Sequence, residues 1–307
     1  MNPYLHAFGA WVPKRVVTNS ELAERLGCTP EWIENASGIR ERRWATATTS
    51  IVDLGAEAAL ACMARAGLSA SEIGLVVLAS GSAPPGFPAP AAALAARLGL
   101  GTTPAIDLPM ASAGSLFGLA LASRLAETYG NVLVVAAEKM SAIIERHPLD
   151  PNTAMLFGDG AGAALVSDRP GKWQIMGHVL HSDGQFSTDL AYDWNFPLHM
   201  NGLSVILQAT RKMPAAIKEV LERAEISATD ISVFLLHQAN QNLLVRVGKT
   251  LGVAPERVFS NISRYGNTSS ASMLIAAAEW SEQAPVPGPI VFAAFGAGVH
   301  WGALVAK

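Results

Sequence analysis

The stretch AIDLPMASAGSLFGLAL, residues 105–121, decides how the rest of the chain is arranged. Its first residues are typical of a short buried strand, its middle is a run of small residues, and its end is compatible with a helix. A strand that turns sharply into a helix presents one side chain at the turn, and here that side chain belongs to Ser112.

The position of Ser112 favours chemistry on its oxygen. The hydroxyl would lie beside backbone N–H groups that lack a partner within the helix, at the positive end of the helix dipole. Negative charge on an oxygen is stabilised there, so Ser112 is a candidate nucleophile. The same pattern also fits a helix whose start is capped by Ser112 or Ser115.

Composition excludes several classes of protein. Of the 307 residues, 50% are hydrophobic and 15% are charged, and the formal net charge is -3. The chain can therefore bury a large core, and its charge argues against nucleic-acid binding. We find no secretion signal and no clean membrane-spanning helix, so we expect a cytoplasmic protein without a membrane partner. Two cysteines, Cys28 and Cys62, do not indicate a disulfide framework.

Short apolar runs alternate with helical patterns along the chain. Residues 74–80 and 131–137 are typical of buried strands, whereas residues 51–66 and 91–98 have helical spacing. Two earlier helices have Ser20 and Thr29 as candidate N-caps, and residues 289–306 predict two buried strands around a turn. We therefore expect an α/β fold with a sheet buried between helix layers.

The chain also contains an internal repeat. AGLSASEIGLVVLAS from Ala66 and AEISATDISVFLLHQ from Ala224 share one pattern, and the turns at Ser112 and Asn267 recur at nearly the same offset. Two ordered matches predict two copies of one α/β unit, with the boundary in the segment SDRPGKW. We assign residues 1–168 to the first half and residues 169–307 to the second.

Two halves related by a pseudo-twofold axis would bring Ser112 and Asn267 together. His237, at the end of the predicted strand 233–236, would converge on the same place. A serine hydroxyl needs an adjacent base, and histidine is the usual one. The Asn267 amide can donate to a developing oxyanion or orient the imidazole. Taken singly, His237 also fits a core histidine and Asn267 a helix cap.

Other motifs give no sign of a metal or a cofactor. His178 and His181 are three residues apart, but only Asp183 lies nearby as a further ligand, so we predict no metal. FGDGAGA (157–163) and FGAG (295–298) lack the fingerprint of a phosphate-binding loop. The FGAG turn is flanked by predicted strands, and its backbone N–H groups could point at a substrate carbonyl.

Taken together, these motifs resemble the type III β-ketoacyl-acyl carrier protein synthases, which have the thiolase fold. The resemblance covers nearly the whole chain and is carried by EWIENASGIRERR (31–43), GFPAPA (86–91), MASAGSLFGLALA (110–122), AAEKMS (136–141), LFGDGAGA (156–163), MNG (200–202), LLHQAN (235–240), YGNTSSAS (265–272) and AFGAGVHWGALV (294–305). It implies two α/β halves in a layered α-β-α-β-α arrangement.

The resemblance also implies an acyl-enzyme mechanism in fatty acid or polyketide biosynthesis. A nucleophile takes an acyl group from a CoA or carrier-protein thioester, and a malonyl-type substrate is decarboxylated and condenses with it. His237 and Asn267 match the pair that assists decarboxylation. The backbone N–H groups of Ser112 and Ala297 match the oxyanion hole.

Further positions follow from the same motifs. Trp32 matches a residue at the mouth of the pantetheine tunnel, and Phe87 matches one that a dimer partner lends to the acyl pocket, which implies a homodimer. Leu156 and residues 191–196 are expected at the acyl pocket. The motifs also imply substrate-binding positions at Phe157, Asn240, Gly296 and Gly298.

The chain departs from the family at the nucleophile, which is usually cysteine and here is Ser112. A hydroxyl scarcely ionises, so dependence on His237 as a base should increase. A serine ester is less electrophilic than a thioester, so attack by a carbanion should be slower, which disfavours carbon–carbon bond formation. Related proteins with this change serve antibiotic and polyketide pathways. Two alternatives stay open, a non-catalytic partner subunit of the same fold and an engineered Cys-to-Ser trap.

A second departure concerns the donor. The family usually has an arginine where this chain has Ala36, and another near Asn152. Loss of two guanidinium groups removes phosphate contacts, so we expect carrier-protein thioesters to be preferred over CoA thioesters. Four basic residues could form a surface patch that binds an acidic carrier protein, and they fit an ordinary solvated face equally well. They are Arg211, Lys212, Arg246 and Lys249.

Overall fold

A mixed sheet of nine strands forms the centre of the molecule in the computed structural model, which describes residues 3–283 and 288–307. The strands of the described residues are β1 Tyr4–Trp11, β2 Val16–Thr18, β3 Glu41–Arg43, β4 Ile73–Ala79, β5 Ala105–Leu108, β6 Asn131–Lys139, β7 Asp159–Ser167, β8 Trp173–Ser182, β9 Leu190–Ala191, β10 His199–Met200, β11 Val233–Leu236, β12 Ile290–Gly296 and β13 His300–Ala306. The helices are α1 Asn19–Leu26, α2 Pro30–Ser37, α3 Ile51–Ala66, α4 Pro90–Arg97, α5 Gly114–Tyr129, α6 Met140–Ile144, α7 Pro151–Ala154, α8 Gly202–Arg223, α9 Gln241–Leu251, α10 Ile262–Tyr265 and α11 Ser272–Glu282.

The sheet has the strand order β11-β12-β13-β8-β1-β7-β6-β4-β5. Strand β4 is parallel to both β5 and β6, and β11 is parallel to β12, whereas the strands between them pair antiparallel. The strands of the first 168 residues occupy one end of the sheet and the later strands occupy the other. The division into halves at residue 168 stays a prediction.

Helices cover the sheet in layers. Helices α5 and α11 share one core cluster with strands from both ends of the sheet, so they lie between the two groups of strands. Helices α3 and α4 pack on the outer face of the first group, and α8 and α9 on the outer face of the second. The expected layered α/β fold is confirmed. None of the described helices combines the length and the apolar character that a membrane crossing requires.

Local signals place most element ends correctly, with two corrections. Thr29 caps α2 by accepting a hydrogen bond from the Trp32 N–H, as predicted. Helix α1, however, is capped by Thr18 rather than Ser20, because the Thr18 hydroxyl accepts from the Glu21 N–H. Strand β5 is not fully buried, because it forms the edge of the sheet and Ile106 is 46% exposed there.

A buried carboxylate ties the two groups of strands together. Glu138, at the end of β6, is fully buried and accepts hydrogen bonds from the backbone N–H groups of Gly81, Ser82 and Ser270. The hydroxyls of Ser82 and Ser270 donate to it as well. Since Ser270 belongs to the second half of the chain, Glu138 holds the loop before α11 against the first half.

We predict that Glu138→Gln destabilises the protein by about 3 kcal/mol, because the NH₂ group that replaces one carboxylate oxygen cannot accept a hydrogen bond and would face buried donors that lose their partner. The free energy of unfolding in urea measures this cost. Glu57→Gln is the matched control, since Glu57 is exposed on α3 and should change stability by less than about 0.5 kcal/mol. Equal stabilities of the two variants would contradict the role given to Glu138.

Candidate active site

The turn between β5 and α5 holds Ser112 in an unusual backbone conformation. Its φ is 60°, in the left-handed region that residues other than glycine rarely adopt. Helix α5 begins at Gly114 with Ala113 as N-cap, and no side chain caps it. The Ser112 hydroxyl is therefore not used as a helix cap, and the strained turn presents it to its surroundings.

The end of β12 packs directly against this turn. A Cβ added to Gly296 would lie 2.3 Å from the Ala111 carbonyl oxygen, 2.7 Å from the Ala113 nitrogen and 3.0 Å from Ser112 Cβ. Only glycine fits at this distance. The FGAG turn of the second half thus packs against the backbone of the Ser112 turn.

Ser269 links Ser112 to Asn267. The Ser112 N–H donates to Ser269 Oγ at 3.0 Å, and the Ser269 N–H donates to Asn267 Oδ1 at 2.8 Å. Ser269 also has a positive φ, of 48°. The Ser112 N–H, predicted as an oxyanion donor, is therefore already paired with a hydroxyl, and a substrate oxygen would have to displace or share that bond.

His237 follows directly after β11 and is buried. Its Nδ1 lies 2.6 Å from Ser272 Oγ, which also accepts from the Gln238 N–H at 3.0 Å. Burial lowers the pKa of the His237 imidazole to about 4, because desolvation penalises the charged ring. The ring is neutral near pH 7.

Two cavities meet at Ser112. The first, of about 90 Å³, is lined by Ser112, His237 and Asn267 together with apolar side chains of α8 and α9. The second, of about 300 Å³, is lined by Ser112, Ala297 and Gly298 and by apolar residues from both halves of the chain. The three candidate catalytic side chains thus share one cavity, and a second space opens from the same serine.

The remaining predicted positions divide between these cavities and the surface. Phe157 lines both cavities, and Leu156 and Asn240 line the smaller one. The placement of Leu156 at the acyl pocket stays a prediction. Trp32 is 40% exposed and Phe87 is 99% exposed, and neither lines a cavity at Ser112.

Residues 191–196 reach the larger cavity only in part. Ala191 and Tyr192 line it, whereas Trp194 lines a separate cavity together with Phe87.

Asn240 also binds the backbone of Ala36, the residue that stands where the resemblance leads us to expect arginine. Its Nδ2 donates to the Ala36 carbonyl, and Asn242 Nδ2 donates to the same carbonyl. Asn240 Oδ1 also accepts from the Asn242 N–H and so caps α9. The end of α2 is thereby joined to the start of α9 beside the smaller cavity.

Comparison with known proteins identifies the family. Two family models, described as 3-oxoacyl-[acyl-carrier-protein (ACP)] synthase III and its C-terminal part, match residues 106–184 and 221–307. The β-ketoacyl-[acyl-carrier-protein] synthase III of Staphylococcus aureus (strain Newman) is 33% identical over 100% of this chain and 99% of its own. The chain belongs to the 3-oxoacyl-acyl-carrier-protein synthase III family.

Solved structures of this synthase family share the fold in full. The 3-oxoacyl-[acyl-carrier-protein] synthase III of Aquifex aeolicus VF5 superposes with a TM-score of 0.95 at 32% identity, covering 99% of each chain. The priming β-ketosynthase from the R1128 polyketide biosynthetic pathway gives a TM-score of 0.92 at 32% identity, covering 99% of this chain and 95% of its own.

Sequence reasoning missed several residues of this synthase-type site. Ser269 and Ser272 lie in the quoted motif YGNTSSAS, but a run of serines does not tell which hydroxyl meets which partner. Glu138 lies in AAEKMS, where only its complete burial marks it as important. His300 lines the larger cavity beside Gly298, although its sequence context gave no sign of this.

We predict that Gly296→Ala lowers the rate of any reaction at Ser112 by about 100-fold, because a displacement of the turn misplaces the hydroxyl. Transfer of an acyl group from a thioester, followed by mass spectrometry of the intact protein, measures that rate. Gly184→Ala is the control, since a Cβ there meets nothing within 4 Å. Unchanged kinetics in Gly296→Ala would show that the turn tolerates the added methyl.

Proposed function

We propose that the protein is an acyltransferase of the 3-oxoacyl-acyl-carrier-protein synthase III type that carries its acyl group as an ester on Ser112. The observation that supports this most is the shared cavity of Ser112, His237 and Asn267 beneath a strained nucleophile turn. Fatty acid or polyketide biosynthesis is the setting, since the relatives named above include both synthase III enzymes and a polyketide priming ketosynthase.

In the first step Ser112 Oγ attacks the carbonyl carbon of an acyl thioester. The serine proton passes to the neutral His237, the new C–O bond forms, and the C–S bond breaks. The proton then leaves with the departing thiolate as a thiol. We assign the narrow cavity to the thioester arm and the larger cavity to the acyl group.

The Ser272 hydroxyl allows the His237 imidazole to act either as a base or as a hydrogen-bond donor. A hydroxyl can both accept and donate, so it can pair with either neutral tautomer of the imidazole. With the proton on Nδ1, donated to Ser272, the other ring nitrogen Nε2 is a base for the Ser112 hydroxyl. With the proton on Nε2, the ring is a donor beside the Asn267 amide.

The second tautomer matches the second half-reaction. A malonyl-type thioester places its carbonyl oxygen between the His237 and Asn267 donors, which stabilise the enolate that forms as carbon dioxide departs. The enolate carbon then attacks the ester carbonyl, the C–O bond to Ser112 breaks, and the serine leaves as an alkoxide that takes a proton from water. Because an ester is less electrophilic than a thioester, this step is slower than with cysteine, and transfer to a hydroxyl or amine acceptor competes.

A carrier-protein thioester is the donor that the surface favours. Arg211, Arg246 and Lys249 are exposed on α8 and α9, the helices that line the narrow cavity. Lys212 does not contribute to this patch, because it pairs with Asp183 at 3.0 Å and lies over the Trp301 ring. An acidic carrier would approach these cations, whereas Ala36 and Asn152 offer no guanidinium to CoA phosphates.

The exposed apolar side chains of the first half favour a homodimer. Phe87 is almost completely exposed, in a proline-rich loop, and Ile106 is half-exposed on the edge strand β5. Unpaired edges and large exposed aromatics are features that an interface covers. A second copy packed here would bury both.

We predict that incubation with acyl thioesters adds one acyl mass to the protein and that Ser112→Ala abolishes the adduct. Ser115→Ala is the matched control from the same segment, since the Ser115 hydroxyl is buried without a hydrogen-bond partner among the described residues. Ser112→Cys should raise condensation with malonyl carrier protein at least about tenfold, because it restores a thioester intermediate. The new β-keto product and carbon dioxide are measured.

The outcomes separate the competing roles. No adduct with any CoA or carrier-protein thioester would favour a non-catalytic partner subunit. An adduct that never turns over with malonyl, hydroxyl or amine acceptors, together with full activity of Ser112→Cys, would identify a trapped form of a cysteine enzyme.

We predict that the acylation rate of Ser112 is nearly constant from about pH 8 to pH 6 and falls toward a midpoint near pH 4. The base is the neutral imidazole, and burial lowers the pKa of His237 to about 4, so the base form persists far below the usual histidine range. Rapid-quench acylation across this range measures the profile, and His237→Asn should remove it. A midpoint near 6.5 would contradict the assignment.

A further inference from the structure

The larger cavity has a mostly apolar wall, and besides Ser112 and Ser269 two further polar side chains line it. Met140, Ile143 and Leu198 provide hydrocarbon surface, as expected for an acyl pocket. His300 and Tyr192 line the same space, so an imidazole and a phenol lie at its wall. Polar groups in such a cavity fix the orientation and identity of a ligand.

The His300 ring is held so that one nitrogen stays available. Its Nδ1 lies 2.7 Å from Ser182 Oγ, and the ring packs edge-on against Phe117. Its Nε2 lies close to the α-carbon of Gly298, since a Cβ added there would be 2.1 Å from Nε2. Within residues 3–283 and 288–307, Nε2 has no hydrogen-bond partner.

Tyr192 presents a second unused group. Its hydroxyl is buried and makes no hydrogen bond to any described residue, while its ring packs at an angle on Trp194. A buried hydroxyl without a partner destabilises the fold, so its retention needs a reason. A ligand atom in the adjacent cavity would supply the missing partner.

The absence of a positive charge among the described lining residues disfavours an anionic ligand. No lysine or arginine is among the described residues that line the larger cavity. Burial lowers the pKa of the His300 imidazole, so that ring is neutral near pH 7. A carboxylate would therefore enter the cavity without a counter-charge, whereas a neutral donor or acceptor would find two partners.

We propose that His300 and Tyr192 select a short acyl group that carries a neutral hydrogen-bonding substituent, a hydroxyl or a ketone, over a plain alkyl chain. The inference rests on the proposed acyl-Ser112 intermediate and adds the class of acyl group. A volume of about 300 Å³ lies at the small end of ligand cavities, which matches a short chain.

Rates of Ser112 acylation with matched pantetheine thioesters test this. The set is butanoyl, 3-hydroxybutanoyl, 3-oxobutanoyl and succinyl, with the hexanoyl, 3-hydroxyhexanoyl and 3-oxohexanoyl homologues, followed by intact mass. The wild type should react at least about tenfold faster with the best hydroxyl or ketone form than with the alkyl or carboxylate form. Tyr192→Phe and His300→Phe should each reduce that ratio about tenfold.

His181→Phe is the matched control, because His181 is a neighbouring histidine that bonds Glu219 and stacks on Trp301 outside the cavity. It should leave the ratio unchanged. Adducts of all thioesters at equal rates would overturn this inference alone, as would a uniform slowing of every thioester in Tyr192→Phe and His300→Phe. No adduct with any thioester would overturn the proposed function and this inference together.

Discussion

The left-handed backbone of Ser112 is the constraint on which the site depends. A residue with a side chain adopts that conformation at a cost of about 1–3 kcal/mol unless its surroundings enforce it. The enforcing contacts come from the second half of the chain. Gly296 packs against the backbone of the turn, and Ser269 accepts the Ser112 N–H. The candidate nucleophile Ser112 is thus held in place by residues more than 150 positions later in the chain, so the turn keeps this conformation only when those segments are packed against it.

Burial sets the chemistry of the groups around that turn. His237 is neutral because its desolvation opposes protonation, and Ser272 lets it pair through either tautomer. Glu138 accepts hydrogen bonds from the N–H and the hydroxyl of Ser270, which keeps the neighbouring Asn267 and Ser269 in place against the first half. A synthase that uses a hydroxyl nucleophile needs such an arrangement, since serine, unlike cysteine, supplies almost no anion of its own.

Prediction from the sequence succeeded where the signal was local. The strand–turn–helix around Ser112, the strand before His237 and the pair of strands at the end of the chain were all recognised from apolar runs and small residues. It failed where a distant partner decided the outcome. The exposure of β5 depends on its place at the sheet edge. Lys212 does not join the expected basic patch, because it pairs with Asp183 and lies over the Trp301 ring.

The sequence by itself determined the α/β class, the family and the three side chains on which the chemistry is proposed to rest, because periodicity and motif letters are local properties of the chain. Only the tertiary structure decided that the Ser112 N–H is already bonded, that Ser272 faces His237, and that His300 and Tyr192 line the larger cavity. These facts arise where distant segments meet, as with Ser112 and Ser269, which are 157 residues apart. A hydrogen bond across that separation depends on packing in three dimensions, which no local pattern encodes.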